Sequence, residues 1–342
     1  MHLLIIKMSS LGDVIHTLPA LSDALRHYPE ARFDWVVEDA FAEIPAWHPA
    51  VRQVIPISLR KWRKAPRRTW RSGEWGRFRA LLREQYYDKV IDAQGLMKSA
   101  LIAWQAHGTR AGLDKHSARE PWASLLYEQK VTVAWEQHAV ERVRQLFAQA
   151  LCYPVPDTPP DYGLSSYSMT TPMPSRPTLV FLHGTSWITK HWPEAFWQAL
   201  AKKATAAGFR VRLPWGNEAE HERAKRIAAV HQQVSVMPAG NLQGLAAELC
   251  TSVAAVGVDT GLAHLAAALK VPCLTLYGPT HPALTGTYGE HQAHLRSQFA
   301  CAPCKQEKCA YRGTTEVFPA CFTELSVQRV WEALLDVLSR SR

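Results

Sequence analysis

Four loops of this chain of 342 residues combine small residues, hydroxyls and charge as a ligand site requires. Each leaves an apolar run and opens a helical pattern. The first is Lys7-Met8-Ser9-Ser10-Leu11-Gly12-Asp13. Small residues let a backbone approach a ligand, and a helix N-terminus favours negative charge. Asp13 fits two roles there: capping the helix, or accepting a proton from a hydroxyl held within hydrogen-bond reach. The second loop is His183-Gly184-Thr185-Ser186, with Lys190 just beyond. Its two hydroxyls, amides and cation suit a diphosphate, with Lys190 as a point charge; a plain strand-to-helix turn is the other reading. The third, Asp259-Thr260-Gly261-Leu262-Ala263-His264, presents amides where an anion would sit. Asp259 could bond sugar hydroxyls, and His264 reads as a phosphate ligand or as an ordinary helix histidine. The fourth is Leu213-Pro214-Trp215-Gly216, followed by Glu220. A carboxylate beyond a strand can take two ribose hydroxyls, but the helix dipole alone also favours a first-turn Glu.

Other chemistries are excluded by what the loops lack. There is no G-x-x-x-x-G-K-[ST] phosphate loop, no G-x-G-x-x-G after either leading strand, and no G-x-S-x-G elbow. No D-x-D triplet is present to hold a nucleotide sugar through a metal. Of the seven cysteines, four lie at 301, 304, 309 and 321. The C-x2-C pair suits a thiolate zinc site. The later spacings match no standard finger, and reduced thiols in a turn-rich segment are the alternative. An odd number of cysteines without an export signal is expected to be mostly reduced.

Such loops need strands and helices in alternation to hold them. Buried strands read at Leu3–Ile6, Phe33–Val37, Val90–Ala93 and Val131–Val133. A second set reads at Thr178–Leu182, Phe209–Leu213, Val234–Met237, Val253–Val258 and Cys273–Tyr277. Helices are predicted from the first loop through Leu25, near 193–207, 218–230, 241–250 and 261–269, and after a Ser326 N-cap. Apolar strands followed by helices mark parallel sheets covered on both faces. Residues 153–177 hold seven prolines, too many for a helix or a central strand. The expected fold class is therefore α/β, with two doubly wound parallel-sheet domains. They span 1–152 and 178–325, joined by a Pro-rich linker at 153–177 and followed by a C-terminal helix at 326–342. Ligands bind such sheets at the carboxyl ends of the strands, so the site is expected on loops facing a cleft. No run approaches the ~20 apolar residues of a membrane span. The apolar run at the N-terminus stops at Lys7 with no cleavage site after it. The chain thus reads as cytoplasmic.

Taken in order, five motifs resemble one family. Lys7-Met-Ser-Ser-Leu-Gly-Asp-Val-Ile-His-Thr-Leu-Pro-Ala-Leu, His183-Gly-Thr-Ser, Lys190-His-Trp-Pro-Glu, Leu213-Pro-Trp-Gly and Asp259-Thr-Gly-Leu-Ala-His are similar to the ADP-heptose:lipopolysaccharide heptosyltransferases, glycosyltransferase family 9. Phe33-Asp-Trp-Val-Val-Glu38, Ile44-Pro-Ala-Trp-His48 and Arg60-Lys-Trp-Arg-Lys64 look most like its heptosyltransferase I branch; the 301–321 segment looks more like the heptosyltransferase II branch. The resemblance implies a GT-B fold of two Rossmann-like domains, with the acceptor on the first and the donor nucleotide on the second. It implies inverting transfer of L-glycero-D-manno-heptose from ADP-heptose to a Kdo sugar of Kdo2-lipid A. Asp13 would be the general base. Thr185, Ser186 and Lys190 would hold the diphosphate, and Lys190 would meet the charge on departing ADP. Glu220 would bind the adenosine ribose. Asp259, Thr260, Gly261 and His264 would contact heptose and phosphates; Ser9, Gly12 and Arg119 would contact the acceptor. No metal and no cofactor are implied, and a monomer is expected.

The net charge of +9 is localised. Residues 59–83 carry ten Lys and Arg against Glu74 alone, so the rest of the chain is neutral. Trp62, Trp70 and Trp75 share the segment. A cationic, aromatic stretch in the acceptor domain suits an anionic lipid substrate. Arg60, Lys61, Arg63 and Lys64 are candidates for Kdo and phosphate contacts. The remaining Arg and Trp are candidates for holding the anionic inner-membrane surface on its cytoplasmic face. Nucleic acid is not an expected partner, because no RRM, KH or helix-turn-helix signature is visible.

Overall fold

The computed structural model describes residues 1–164 and 176–340. The chain divides into two compact units, Met1–Leu164 and Ser165–Arg342. Of the expected linker, 165–175 lies outside the described residues, as do the last two positions of the expected terminal helix. From Tyr153 to Leu164 the chain lies against the first unit, with Tyr153, Tyr162 and Leu164 buried.

The first unit holds six parallel strands: β1 (His2–Ile6), β2 (Arg32–Glu38), β3 (Val51–Ile57), β4 (Tyr86–Asp92), β5 (His107–Leu113) and β6 (Gln129–Val131). Their order is β3-β2-β1-β4-β5-β6. The second unit repeats the plan with β7 (Thr178–Leu182), β8 (Arg210–Leu213), β9 (Val234–Val236), β10 (Ala254–Val258), β11 (Cys273–Tyr277) and β12 (Gln292–Arg296). Their order is β12-β11-β10-β7-β8-β9. Both are Rossmann-type orders, reversing direction between β1 and β4 and between β7 and β10. Ile5 pairs with Trp35 and Ile91, and Val256 pairs with Phe181 and Leu274. These central strands are apolar along their length because helices cover both faces.

Three strands went unpredicted, and each has a reason. β3 and β12 are edge strands and bury little: β3 buries only Ile55 and Ile57, and β12 is half polar. β5 reads His-Gly-Thr-Arg-Ala-Gly-Leu, too poor in apolar residues to read as a strand. Its glycines are steric. A Cβ on Gly108 would lie 2.3 Å from the Tyr87 carbonyl oxygen, and one on Gly112 would lie 2.4 Å from the Tyr127 ring. The sixth strand sits two residues earlier than predicted.

The helix expected through Leu25 is two helices, Leu11–Ile15 and Leu18–His27. Pro19 has no N–H to continue the first helix and a φ suited to starting the second. The basic segment also differs from a loop. It forms three short helices, Leu59–Lys64, Pro66–Arg71 and Glu74–Arg83. Trp62, Phe78 and Leu82 anchor them on the sheet beside Leu4, Ile6, Val36 and Ile55, together with Ile102 and Ala103 of the helix Met97–Ala103. Right-handed crossovers explain why these elements share a layer: every connection from β3 through β6 steps the same way across the sheet. In the second unit the final helix, Val327–Arg340, packs Val330, Leu334 and Val337 into the core with Trp192, Trp197 and Phe322.

Candidate functional site

In each unit the loops after the two strands at the reversal hold the central candidate residues, Ser9, Gly12 and Asp13 after β1, Thr185, Ser186 and Lys190 after β7, and Asp259 to His264 after β10. In the first, the loop after β1 is clamped to the loop after β4. The Gln94 carboxamide oxygen accepts the Met8 and Ser9 N–H groups at 3.0 and 3.2 Å, and its nitrogen donates to the Ser9 carbonyl at 2.8 Å. Asp92, buried beneath, accepts the Gln94 N–H at 2.8 Å and the Tyr127 hydroxyl at 2.6 Å. Burial raises its pKa. Gln94 was absent from the sequence reading. Its signal was position alone, two residues past a strand at the reversal.

Asp13 lies in the first turn of the helix Leu11–Ile15 and is half-buried. Its Oδ2 accepts both the Ser10 N–H at 2.8 Å and the Ser10 hydroxyl at 2.7 Å. The capping role is therefore real, and both bonds use the same carboxylate oxygen. Lys7 is buried and donates from Nζ to the Ala93 carbonyl at 2.8 Å. Burial lowers its pKa, while the charges of Asp13 and Asp92 oppose the shift. Ser9 is half-buried and Gly12 buried in the same loop. Arg119, exposed beyond β5, is close enough to act on Lys7. On the β3 side, Arg60 acts on Glu38 at the end of β2, and both its charge and its peptide N–H oppose the upward shift that burial gives that carboxyl. Arg60, Lys61, Arg63 and Lys64 are all exposed on their helix. Arg60 and Arg119 thus flank the Asp13 loop along one sheet edge, one on the β3 side and one on the β5 side.

The aromatic expectation needs correction. Trp62 is buried and donates its indole N–H to Glu74 at 2.6 Å, and Trp75 packs edge-on against it. Trp75 is half-buried, and Trp70 is 82% exposed.

In the second unit one ion pair spans the reversal. Lys190 Nζ, at the end of the turn Ile188–Lys190 after β7, lies 2.8 Å from Asp259 Oδ2 at the end of β10. The same oxygen accepts the Thr280 hydroxyl at 2.7 Å, and His264 Nε2 stands 3.9 Å from Asp259 Oδ1. Thr185 donates its hydroxyl to the Asp259 carbonyl at 3.2 Å. Lys190 also sits over the Trp187 ring, 4.6 Å from its centroid. Lys190 is thus a partnered cation, its position fixed on two sides. Thr260 caps the helix Gly261–Ala268 with extended backbone, and Ser186 is exposed beside Thr185. Thr280 went unpredicted because it follows β11, a loop with no charge to mark it.

Glu220 reaches the same loop cluster from the helix Glu218–Ala228. Its N–H is capped by Asn217 at 3.0 Å, and its Oε2 accepts the Gly216 N–H at 2.8 Å. A Cβ on Gly184 would lie 2.7 Å from its carboxyl carbon. The Gly in the diphosphate-type loop is what admits this carboxylate. His183, buried below, has its pKa pushed down to about 3 by burial and, next, by Arg223. It is a neutral packing residue.

The seven cysteines form no disulfide. Cys301, Cys304, Cys309 and Cys321 lie close enough to act on one another, and burial pushes Cys321 up to about 12. Among the described residues, the ligand-type group with donor atoms within 4.8 Å is Glu218, His221 and Glu222, not the cysteines. Glu222 is bonded to Lys225 at 2.7 Å on an exposed helix face.

Known proteins match this arrangement. The family description Glycosyltransferase family 9 (heptosyltransferase) matches residues 75–314. A lipopolysaccharide heptosyltransferase 1 from Pseudomonas aeruginosa is 56% identical over 340 residues, covering 96% of each chain. The structure of E. coli heptosyltransferase WaaC with ADP superposes with a TM-score of 0.89 at 43% identity, covering 98% of this chain and 100% of that one. WaaC with ADP-2-deoxy-2-fluoro heptose gives 0.81 at 48% identity, covering 87% and 93%. With two Rossmann-type sheets, the expected loops at both reversals and these relatives, the chain belongs to glycosyltransferase family 9, the heptosyltransferases.

Proposed function

We propose that this protein transfers L-glycero-D-manno-heptose, with inversion, from ADP-heptose to the Kdo of Kdo2-lipid A. The observation that carries the reading is the Lys190–Asp259–Thr185 cluster at the second reversal, with helix amides at Gly261 beside it. A fixed cation and aligned amides suit the two negative charges of a sugar diphosphate. Glu220 takes the ribose. Asp259, held by Lys190 and Thr280, and His264 order the sugar-facing side.

The acceptor hydroxyl oxygen attacks the anomeric carbon of the heptose, and its proton passes to the Asp13 carboxylate. The bond between that carbon and the diphosphate oxygen breaks, and ADP leaves with the electron pair. Lys190 and the helix amides meet the charge that develops, so no metal is required. Ser10 holds Asp13 through one oxygen, which orients the carboxylate as the base. Ser9, Gly12, Arg60, Lys61, Arg63, Lys64 and Arg119 hold the Kdo carboxylates and lipid A phosphates. Among the described residues no helix is long and apolar enough to cross a membrane. The basic helices instead lay the acceptor unit on the anionic cytoplasmic face of the inner membrane.

Transfer is tested with ADP-heptose and a Kdo2-lipid A analogue in the presence of EDTA. Turnover is expected to persist with EDTA and to fall about 10²–10⁴-fold in Asp13→Asn, with ADP affinity unchanged. The Asn side chain can still accept from Ser10, so a loss of turnover reports the base and not the cap. Near-normal turnover of Asp13→Asn refutes the base assignment. Transfer only to a core that already carries heptose refutes the acceptor assignment.

A further inference from the structure

The basic helices are not the only unusual surface of their layer. The helix Met97–Ala103 and the turn Pro121–Leu126 pack together through Ala100, Ala123 and Tyr127. Their outer sides are apolar. Trp122 is 72% exposed, Leu125 67%, Trp104 57% and Leu101 48%. Lys98, Leu101 and Trp104 recur every three residues, so they lie along one stripe of the helix surface. Four large apolar side chains exposed on two adjoining elements are uncommon on a soluble surface and mark an interaction site.

We propose that this face docks on an anionic phospholipid bilayer, with Trp104, Trp122, Leu101 and Leu125 entering the interfacial region. The inference rests on the lipid-linked acceptor proposed above and adds the element that would insert. Charge complementarity selects the occupant. The neighbouring helices of the same layer, 59–83, carry the whole positive excess of the chain. Arg83, at the end of that segment, donates to the Gln105 carbonyl at 3.0 Å, one residue beyond Trp104. Lys98 and Arg119 are exposed at the near end of the patch. The nearby acidic groups are already engaged: Glu120 accepts the Met97 N–H at 2.7 Å, and Glu128 is paired with Arg110. Tryptophan beside Arg and Lys is the composition of interfacial membrane segments, with rings at headgroup depth and charges toward the phosphates.

The test uses co-sedimentation of the full chain with phosphatidylglycerol–phosphatidylethanolamine vesicles. W104S/W122S/L125S is expected to bind about tenfold or more weakly, since each large apolar side chain loses its burial. Its residual binding should be more salt-sensitive than that of the parent protein, because screened charge then carries a larger share of it. R67Q/R68Q/R71Q is expected to show the opposite pattern, with weakened binding that is less salt-sensitive than that of the parent protein. All these side chains are exposed, so circular dichroism and transfer to a water-soluble, deacylated Kdo acceptor should match the parent protein. Wild-type vesicle affinity in W104S/W122S/L125S overturns the proposal. So does a lipid-free dimer that this variant converts to monomer, because a second copy is then the occupant. Failure of the parent protein to heptosylate any Kdo acceptor would refute the functional reading separately, whatever the vesicles report.

Discussion

Gly184→Ala tests whether the second and fourth loops form one donor site. The added Cβ would lie 2.7 Å from Glu220 Cδ, 2.8 Å from Oε1 and 3.0 Å from Oε2. Carbon–carbon contacts are comfortable at about 3.5–4.0 Å, so the carboxylate must retreat by about 1 Å. Its bond from the Gly216 N–H, 2.8 Å long, is then lost. A bond to an ionised group contributes about 1.5–3 kcal/mol, but the carboxylate can turn to water. The fold should therefore lose no more than about 2 kcal/mol. Donor binding should suffer more. If Glu220 holds both ribose hydroxyls, displacing it removes at least one charge-assisted bond. The dissociation constant of ADP is then expected to rise about tenfold to a hundredfold. Titration calorimetry with ADP measures this, and urea unfolding measures the fold. The double variant G184A/E220Q supplies the control, because two changes acting through one carboxylate cannot add fully. It should bind ADP no worse than E220Q. Wild-type ADP affinity in G184A, or full additivity in the double variant, refutes the reasoning.

Two further outcomes follow from the ionised and neutral groups. Lys190→Met strands Asp259, which is 6% exposed and keeps only the Thr280 hydroxyl and a distant His264. Stability is expected to fall by about 3 kcal/mol, and turnover by about 10²–10³-fold; K190M/D259N should regain stability but not turnover, and recovered turnover would reduce Lys190 to a structural cation. The second outcome concerns acid. Burial pushes His48 down to about 4, and its Nδ1 accepts the Ala50 N–H at 3.2 Å, a bond that only the neutral ring can make. The unfolded chain, with an ordinary histidine pKa near ~6.5, binds the extra proton first as pH falls. The stability is complete above pH ~6.5 and is lost toward pH 4, by at most about 3 kcal/mol for this residue. Urea unfolding from pH 4.5 to 7.5 should show that slope and a shallower one in His48→Gln; identical slopes would refute the assignment.

Some of this architecture was readable from residue order alone. The central strands were, because parallel strands buried on both faces must be continuously apolar, as Leu3–Ile6 and Ala254–Val258 are. The candidate loops were readable because glycine, hydroxyls and charge follow the apolar strands in them. So was the charge in 59–83, since charge is additive along a sequence. Tertiary contact decided the rest. β5 exists because Gly108 and Gly112 make room for groups more than ten residues away in sequence, so its apolar content carries no signal. Trp62 and Trp70 are the same residue type eight positions apart, yet packing buries one against Phe78 and leaves the other in solvent. Gln94, Thr280 and the Gly184–Glu220 fit became visible only when strands distant in sequence became neighbours in a sheet. The types of chemistry available are set residue by residue. Which atoms meet is set by strand order, because a parallel sheet brings the carboxyl ends of its strands to one edge whatever their separation in the chain.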